Sequence, residues 1–178
     1  MTRIVNALAN ISSRYDVLLC DLWGCLHNGR QAFPSAVAAL QGFKARGGTV
    51  VLLTNAPRPR AEVARQLEKI GVPDDCWDVI VTSGDSARTA MFQGVVGSKV
   101  WFLGYERDLV VFDPIRIVDN PVSIERVPLD QATGIACCGP EDPYADPSVY
   151  RPQLLYAKQK GLKLLCFNPA IVVDFADR

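Results

Sequence analysis

Three short apolar runs alternate with two amphipathic segments in the first part of the chain, and each run ends at a polar residue. The runs are Val17–Cys20, Val50–Leu53 and Val79–Val81, and the segments between them are Ser35–Arg46 and Arg60–Ile70. Continuous apolar runs of this length are typical of buried strands, and apolar positions that share one helical face are typical of amphipathic helices. The pattern predicts a βαβαβ unit with a parallel sheet that is covered on both faces.

The residues that follow the three runs carry the candidate chemistry. Right-handed crossovers place the C-terminal ends of all three strands on one edge, and open α/β sheets bind their ligands beyond that edge. The polar residues there are Asp21, the pair Thr54 and Asn55, and the turn 82–84. A carboxylate beside a hydroxyl and an amide suits transfer of a phosphoryl group to Asp21. On position alone, a structural role for Asp21 as the cap of its own turn is an equal alternative.

Gly24 lies in the turn after Asp21, where it would let the backbone approach a bound group closely. Neither the Gly-x-Gly-x-x-Gly turn of dinucleotide-binding proteins nor a P-loop follows the first run. Nucleotide binding of these two kinds is therefore disfavoured. A serine or cysteine hydrolase is also poorly supported, since His27 is the only histidine and no nucleophile-elbow motif is present. A structural role is the favoured interpretation of His27.

The periodicity changes from about residue 86 and predicts a second α/β unit. About thirty residues that contain Pro114, Pro121 and Pro128 show no clean periodicity. The expected domains are therefore 1–86 and 87–178. The elements predicted in the second unit are a helix ending near Gln93, strands at Lys99–Leu103, Thr133–Cys138 and Lys163–Phe167, and a helix from Asp146-Pro147 to about Lys160.

Composition excludes several classes of function. The chain has 178 residues with 19 basic and 19 acidic side chains, so no net charge draws it towards nucleic acid. Its apolar runs are far shorter than the roughly 18 residues of a membrane span, and its beginning does not resemble a secretory signal. We therefore expect a cytoplasmic protein that binds neither nucleic acid nor membrane. Self-association into a homo-oligomer is left open.

The six cysteines are not spaced as metal-binding or redox pairs of the Cys-x-x-Cys type. Four of them, Cys20, Cys137, Cys138 and Cys166, stand in or beside apolar runs and are predicted to be small buried hydrophobic side chains. Three arginines near the predicted ligand-binding edge of the sheet are candidates for phosphate contacts. The favoured interpretation is that each is a solvent-exposed surface residue. These arginines are Arg58, Arg60 and Arg88.

Five segments together resemble a known family in order and spacing. They are Asp21-Leu22-Trp23-Gly24-Cys25-Leu26, Leu52-Leu53-Thr54-Asn55-Ala56-Pro57, Val81-Thr82-Ser83-Gly84, Phe102-Leu103-Gly104 and Cys166-Phe167-Asn168-Pro169. The chain resembles subfamily IIA of the haloacid dehalogenase superfamily, which includes ribonucleotide monophosphatase, p-nitrophenyl phosphatase and phosphoglycolate phosphatase relatives. The resemblance implies a Rossmann-like, three-layer α/β core over 1–86, with its first two motifs, and an inserted C2-type α/β cap over 87–178.

The same resemblance implies an Mg²⁺-dependent phosphatase acting on a small phosphorylated metabolite. Asp21 takes the position of the nucleophile that is phosphorylated and then hydrolysed, and its carboxylate would also bind the metal. Thr54 and Asn55 match the motif that holds the phosphoryl group, with Gly24 beside them. Asn168 matches a cap loop that contacts substrate and ordinarily reads Asn-Pro-Asp.

Trp23 departs from the family pattern. That position usually carries a second Asp, which acts as general acid and then as general base, and an indole cannot move a proton in this way. The main-chain carbonyl of Trp23 could still bind Mg²⁺. The chain resembles a subgroup that reads Asp-x-Trp-Gly here, and the alternative is that Trp23 only packs in its turn.

The chain also lacks the family's later Lys and its Gly-Asp-x-x-x-x-Asp segment, so we expect a C-terminally truncated core and cap with little or no turnover. In the family the fourth core strand pairs with the first. We therefore predict that the strand ending at Asp21 is an apolar edge that tends to associate. The alternative to a phosphatase is a regulatory protein that binds a phosphorylated ligand without hydrolysing it.

Overall fold

The computed structural model describes residues 4–116 and 118–170, and it confirms the predicted α/β fold class with parallel sheets. No helix within these ranges is both long enough and apolar enough to cross a bilayer. The strands and helices, in chain order, are β1 (Val17–Cys20), α1 (Pro34–Lys44), β2 (Thr49–Thr54), α2 (Arg60–Lys69), β3 (Val79–Thr82), α3 (Ser83–Phe92), β4 (Lys99–Leu103), β5 (Glu125–Arg126), β6 (Gly134–Cys137), α4 (Arg151–Gln159) and β7 (Lys163–Cys166).

The described residues form two compact units. The first contains 4–54 and 60–81, and the second contains 55–59 and 82–170 without residue 117. The second unit thus begins five residues earlier than the expected start at residue 87, and it also includes the short segment that follows β2. The expected division into domains 1–86 and 87–178 stays a prediction, and its last eight residues lie outside the described part of the chain.

The first unit contains a sheet with the strand order β1-β2-β3. β1 pairs in parallel with β2, with Val17 opposite Thr49 and Cys20 opposite Leu52. Side chains alternate between the two faces of a strand, so Val50 and Leu52 share one face, where both are fully buried. Among the described residues no strand pairs with the outer edge of β1, and the tendency of this edge to associate stays a prediction.

The second unit contains a four-stranded sheet with the order β5-β4-β6-β7, in which every neighbouring pair is parallel. Its strand order reverses between β4 and β6, because the chain leaves β4 for one edge and returns to the other side of it. The core is packed between this sheet and α3. It contains Ala87, Met91, Phe92, Val96, Val100, Val111, Ala136, Cys138 and Phe167.

The segment between β4 and β6 is where the prediction of secondary structure was incomplete. It contains a 3₁₀ helix over Glu106–Phe112 and the two-residue strand β5. Arg88 holds the end of this segment, since its Nε donates to the carbonyl of Val111 at 3.0 Å and its guanidinium to the carbonyl of Asp113 at 2.7 Å. Only 7% of Arg88 is exposed, so the interpretation of Arg88 as solvated surface was wrong.

Candidate active site

Asp21 and Thr54 lie at the same edge of the first sheet. Asp21 directly follows β1 and Thr54 is the last residue of β2, and the two strands are parallel with Cys20 opposite Leu52. The structure therefore places a carboxylate and a hydroxyl-bearing residue at the C-terminal ends of neighbouring strands, as predicted. Oδ1 of Asp21 accepts a hydrogen bond from the amide of Leu22 at 2.8 Å, so the carboxyl also caps the turn that follows it.

The turn after Asp21 is held by its own backbone and by two buried leucines. The carbonyl of Leu22 accepts from the amides of Leu26 and His27, and the amide of Gly24 donates to the carbonyl of His27. Leu22 and Leu26 are 4% and 0% exposed, which anchors both ends of the turn. Gly24 has φ of +75°, a conformation that strains other residues, so this turn requires the glycine. The result is a rigid loop beside the candidate nucleophile.

Trp23 packs within this turn. A Cβ built on Gly29 would lie 2.3 Å from the Trp23 ring, so the ring lies directly against the Gly29 backbone. The same ring meets the imidazole of His27 edge to face, with 6.0 Å between the ring centroids. These contacts give the indole a packing role, although 41% of the residue is exposed. They give no proton-transferring group at the position that usually holds the second Asp.

His27 is a structural residue in these contacts. It is 4% exposed, and its Nδ1 accepts a hydrogen bond from the amide of Gly29 at 2.9 Å. Burial lowers the pKa of His27, and the nearby Asp21 carboxylate opposes that shift. A neutral imidazole whose Nδ1 is already occupied orders the loop after Asp21 and agrees with the structural interpretation.

Asn55 and Asn168 are brought together in the second unit. Nδ2 of Asn55 donates to Oδ1 of Asn168 at 3.0 Å, although the two residues are 113 positions apart. The same oxygen of Asn168 accepts from the amide of Ala170 at 3.1 Å. The side-chain oxygen of Asn168, which the resemblance assigns to substrate, is therefore engaged with two protein donors. Its contacts suit the positioning of Asn55, and a substrate role for Asn168 stays a prediction.

The start of α3 explains the motif Thr82-Ser83-Gly84. The hydroxyl of Thr82, a buried residue, accepts from the amide of Asp85 and caps the helix. The amide of Gly84 donates to the carbonyl of Ala56, and a Cβ on Gly84 would lie 2.3 Å from the carbonyl oxygen of Pro57. Only glycine permits so close an approach. The segment after Asn55 is thereby fixed to the first turn of α3.

Asp108 is a buried carboxyl that sequence reasoning missed. It is 3% exposed, and burial raises its pKa while Arg107 and Arg58 oppose that rise. Asp108 lies in the 3₁₀ helix that follows β4, beside the point where the strand order of the second sheet reverses. The surrounding sequence carries no periodicity that would have indicated a buried acid.

The oxygen atoms at the candidate metal site are of the type that Mg²⁺ binds, but they are too few to complete its coordination shell. Mg²⁺ prefers oxygen ligands, and the Asp21 carboxylate and the Trp23 main-chain carbonyl are oxygen donors that would suit it. Within 4–116 and 118–170, however, no group of three or more His, Cys, Asp or Glu side chains could hold a metal ion. These residues would supply part of a coordination shell, and further ligands must come from phosphate, water or other protein groups.

Comparison with known proteins places these features in a family. The family described as haloacid dehalogenase-like hydrolase matches residues 18–115, which is more than half of the chain. The chain is 30% identical over 99 residues to a D-glycerol 3-phosphate phosphatase of Mycobacterium tuberculosis, a match that covers 56% of this chain and 28% of the relative.

Two solved structures extend the likeness over nearly the whole chain. A haloacid dehalogenase-like hydrolase from Brucella suis 1330 has a TM-score of 0.89 at 35% identity, covering 99% of this chain and 64% of that one. A glycerol phosphate phosphatase of Mycobacterium tuberculosis, in complex with magnesium, has a TM-score of 0.62 at 24% identity, which shows a shared fold. That match covers 92% of this chain and 47% of the other. The chain thus spans less than two thirds of the length of these proteins.

Proposed function

Because the chain belongs to the haloacid dehalogenase-like hydrolase family, we propose that the whole protein hydrolyses small phosphomonoesters through an aspartyl-phosphate on Asp21. The observation that carries this proposal is the placement of Asp21 and Thr54 at the C-terminal ends of adjacent parallel strands. Similarity to a D-glycerol 3-phosphate phosphatase supports a small phosphorylated metabolite as the substrate class.

In the proposed reaction a carboxylate oxygen of Asp21 attacks phosphorus and the bond from phosphorus to the leaving oxygen breaks. Water then cleaves the acyl phosphate, which releases inorganic phosphate and restores the carboxylate. Thr54 and Asn55 would donate hydrogen bonds to the phosphoryl oxygens, and the turn at Gly24 leaves space for them. Mg²⁺, when bound by Asp21 and the Trp23 carbonyl, would neutralise charge on the phosphoryl group.

The proposed reaction lacks a side chain at position 23 that could protonate the leaving group. Trp23 packs against Gly29 and meets His27 edge to face, and its side chain supplies no acid. General acid and base catalysis contributes about 10²- to 10⁴-fold, so esters with poor leaving groups lose most. We therefore propose that the 178-residue chain alone turns over slowly or not at all, and that activated esters are its best substrates.

The packing of Trp23 also favours a second candidate function. A protein that keeps the phosphate-binding residues and lacks the proton-transferring group can bind a phosphorylated ligand without consuming it. Binding of inorganic phosphate with Mg²⁺ present, together with unchanged p-nitrophenyl phosphate, supports this non-catalytic function. Hydrolysis that depends on Asp21 contradicts it.

The test uses a reagent that reports the aspartyl-phosphate directly. Beryllium fluoride coordinates carboxylate oxygens as a mimic of a phosphoryl group, and bound fluoride is seen by ¹⁹F NMR. With Mg²⁺ present, we expect a bound resonance in the wild-type chain and none in Asp21→Asn. Hydrolysis of p-nitrophenyl phosphate is measured in parallel.

The matched control is Asp16→Asn. Asp16 is an exposed acid that precedes β1, at the end of the strand opposite to Asp21, and its main-chain carbonyl accepts from the amide of Thr49. We expect this variant to keep the bound resonance. A resonance or an activity that survives Asp21→Asn refutes the assignment of Asp21 as nucleophile.

A further inference from the structure

A pair of cysteines lies at the C-terminal ends of two neighbouring strands in the second unit. Cys137 ends β6 and Cys166 ends β7, and the parallel register sets them directly opposite each other. Cys137 is partly buried and Cys166 is exposed, so the prediction that Cys166 is a buried hydrophobic side chain was wrong. The adjacent Cys138 is 4% exposed and belongs to the core.

The geometry of this pair suits a covalent bond between the two sulfur atoms. Neighbouring strands are about 4.8 Å apart, and directly opposed residues of a parallel pair point to the same face. Disulfides join residues whose Cα atoms are about 4.4 to 6.8 Å apart. The two strand ends are also held together by the backbone, because the amide of Phe167 donates to the carbonyl of Cys137 at 2.8 Å.

We propose that Cys137 and Cys166 form a thiol pair that hydroperoxides oxidise to a disulfide. The exposed Cys166 thiolate attacks one oxygen of hydrogen peroxide, which leaves a sulfenic acid on Cys166 and releases water after proton transfer. The Cys137 thiolate then attacks the Cys166 sulfur, and hydroxide leaves and is protonated to a second water. Two thiols are oxidised, and one peroxide is reduced to two waters.

The environment decides the order of these two steps. Burial raises the pKa of Cys137, and the nearby Cys166 raises it further, so Cys137 is the poorer nucleophile near neutral pH. Cys166 is open to solvent, and its thiol donates to the carbonyl of Asn168 at 3.1 Å. Oxidation removes that donor and joins β6 to β7 just before Asn168. The inference does not depend on phosphatase activity.

Peptide mapping tests the pairing in the chain as it stands. Hydrogen peroxide in limited excess should lower the number of titratable thiols from six to four. Trypsin cleaves after Arg126, Lys158 and Lys163, so Cys137 and Cys166 fall on different peptides. Mass spectrometry without reduction should find the peptide that starts at Val127 linked to the one that starts at Leu164, and dithiothreitol should separate them.

Variants identify which sulfur atoms are joined. Cys137→Ser and Cys166→Ser should each abolish the linked peptide, whereas Cys138→Ala should keep it. A link that survives Cys137→Ser overturns the proposal, as does oxidation confined to Cys20 and Cys25. Conversion of Cys166 to sulfinic acid without any linked peptide also overturns it. Cys137 and Cys138 lie on the same tryptic peptide, so fragmentation of the linked wild-type peptide assigns the bond to one of them even where a variant fails to fold.

Discussion

The side-chain amide of Asn55 donates to the side-chain oxygen of Asn168 at 3.0 Å, which joins the motif after β2 to the loop after β7 within the second unit. Because this bond uses one N–H of Asn55, it sets the orientation of the whole amide group. The hydrogen bond to Asn168 does not use the second N–H. The loop after β7 therefore determines how a residue predicted to bind phosphate presents its donor.

Substitution of Asn168 should uncouple Asn55. Asn168→Ala removes the acceptor of both Asn55 and Ala170, so we expect the Asn55 side-chain amide resonances to shift and to exchange faster with solvent. The expected loss of stability is below about 1 kcal/mol, because the bond is exposed. Asn168→Asp keeps an acceptor oxygen and serves as the control. These resonances are followed by ¹⁵N NMR. If the two variants change them equally, Asn168 does not position Asn55.

Arg88 should be the more important arginine for stability. Arg88→Met keeps the apolar stem but leaves the carbonyls of Val111 and Asp113 without this donor and leaves Asp85 without its buried ion pair. We expect a loss of about 3 kcal/mol in the free energy of unfolding of the second unit. Urea unfolding followed by circular dichroism measures it.

The matched control for Arg88 is Arg65→Ala. The side chain of Arg65 is 64% exposed on α2, where it pairs with Glu62 one turn away and its Nε donates to the carbonyl of Ala61. Exposed pairs of this kind contribute about 0.5 kcal/mol or less. Equal losses for the two arginine variants would show that the buried contacts of Arg88 do not stabilise the segment before β5.

Asp108 should make stability fall as the pH rises. Burial raises its pKa in the folded chain above the ordinary 3.8, so the folded chain keeps this proton to a higher pH than the unfolded chain does. The stabilisation is complete below 3.8 and is lost as the pH rises through the folded pKa. Asp108→Asn should remove this dependence, which urea unfolding at a series of pH values from about 4 to 7 measures.

Asp78 should make stability fall as the pH falls, which is the reverse of the effect expected for Asp108. The amide of Val50 and the ammonium of Lys44 lower the pKa of Asp78 below 3.8, so its contribution is present above that value and is lost as the pH falls. Asp78→Asn should therefore flatten the acidic side of the stability profile. If both variants change the profile in the same direction, the assignment of Asp108 as a buried neutral acid is wrong.

The outer edge of β1 should promote self-association. Val17 and Leu19 are 52% and 63% exposed, and they project on the same face of the sheet as Leu53, which is 47% exposed. We expect Leu19→Lys to reduce concentration-dependent association in sedimentation velocity experiments. Val149→Lys, at an apolar position in the second unit that is 53% exposed, is the control. Association that Val149→Lys reduces as much as Leu19→Lys does contradicts this prediction.

The elements that depend on local pattern could be predicted from the sequence alone. The predicted bounds of β1 and β4 are those of the structure. Asp146 caps the amide of Ser148 where a helix start was expected, although the residues it caps, Pro147–Tyr150, form a 3₁₀ helix and α4 begins only at Arg151. Alternation, helical periodicity and capping act over a few residues, so a single sequence carries their whole signal. The strand-end position of Asp21 follows from the same rules.

Other features were decided by contacts between distant parts of the chain. Nothing near Arg88 indicates that it will bind carbonyls more than twenty residues away, and the apolar run before Cys166 predicted burial for a thiol that is exposed. The hydrogen bond between Asn55 and Asn168 likewise forms only once the segment 55–59 and the loop after β7 meet within the second unit. The sequence determined which residues end the strands, because that depends on neighbours along the chain. The tertiary structure decided which of them meet, because hydrogen bonding and burial depend on neighbours in space.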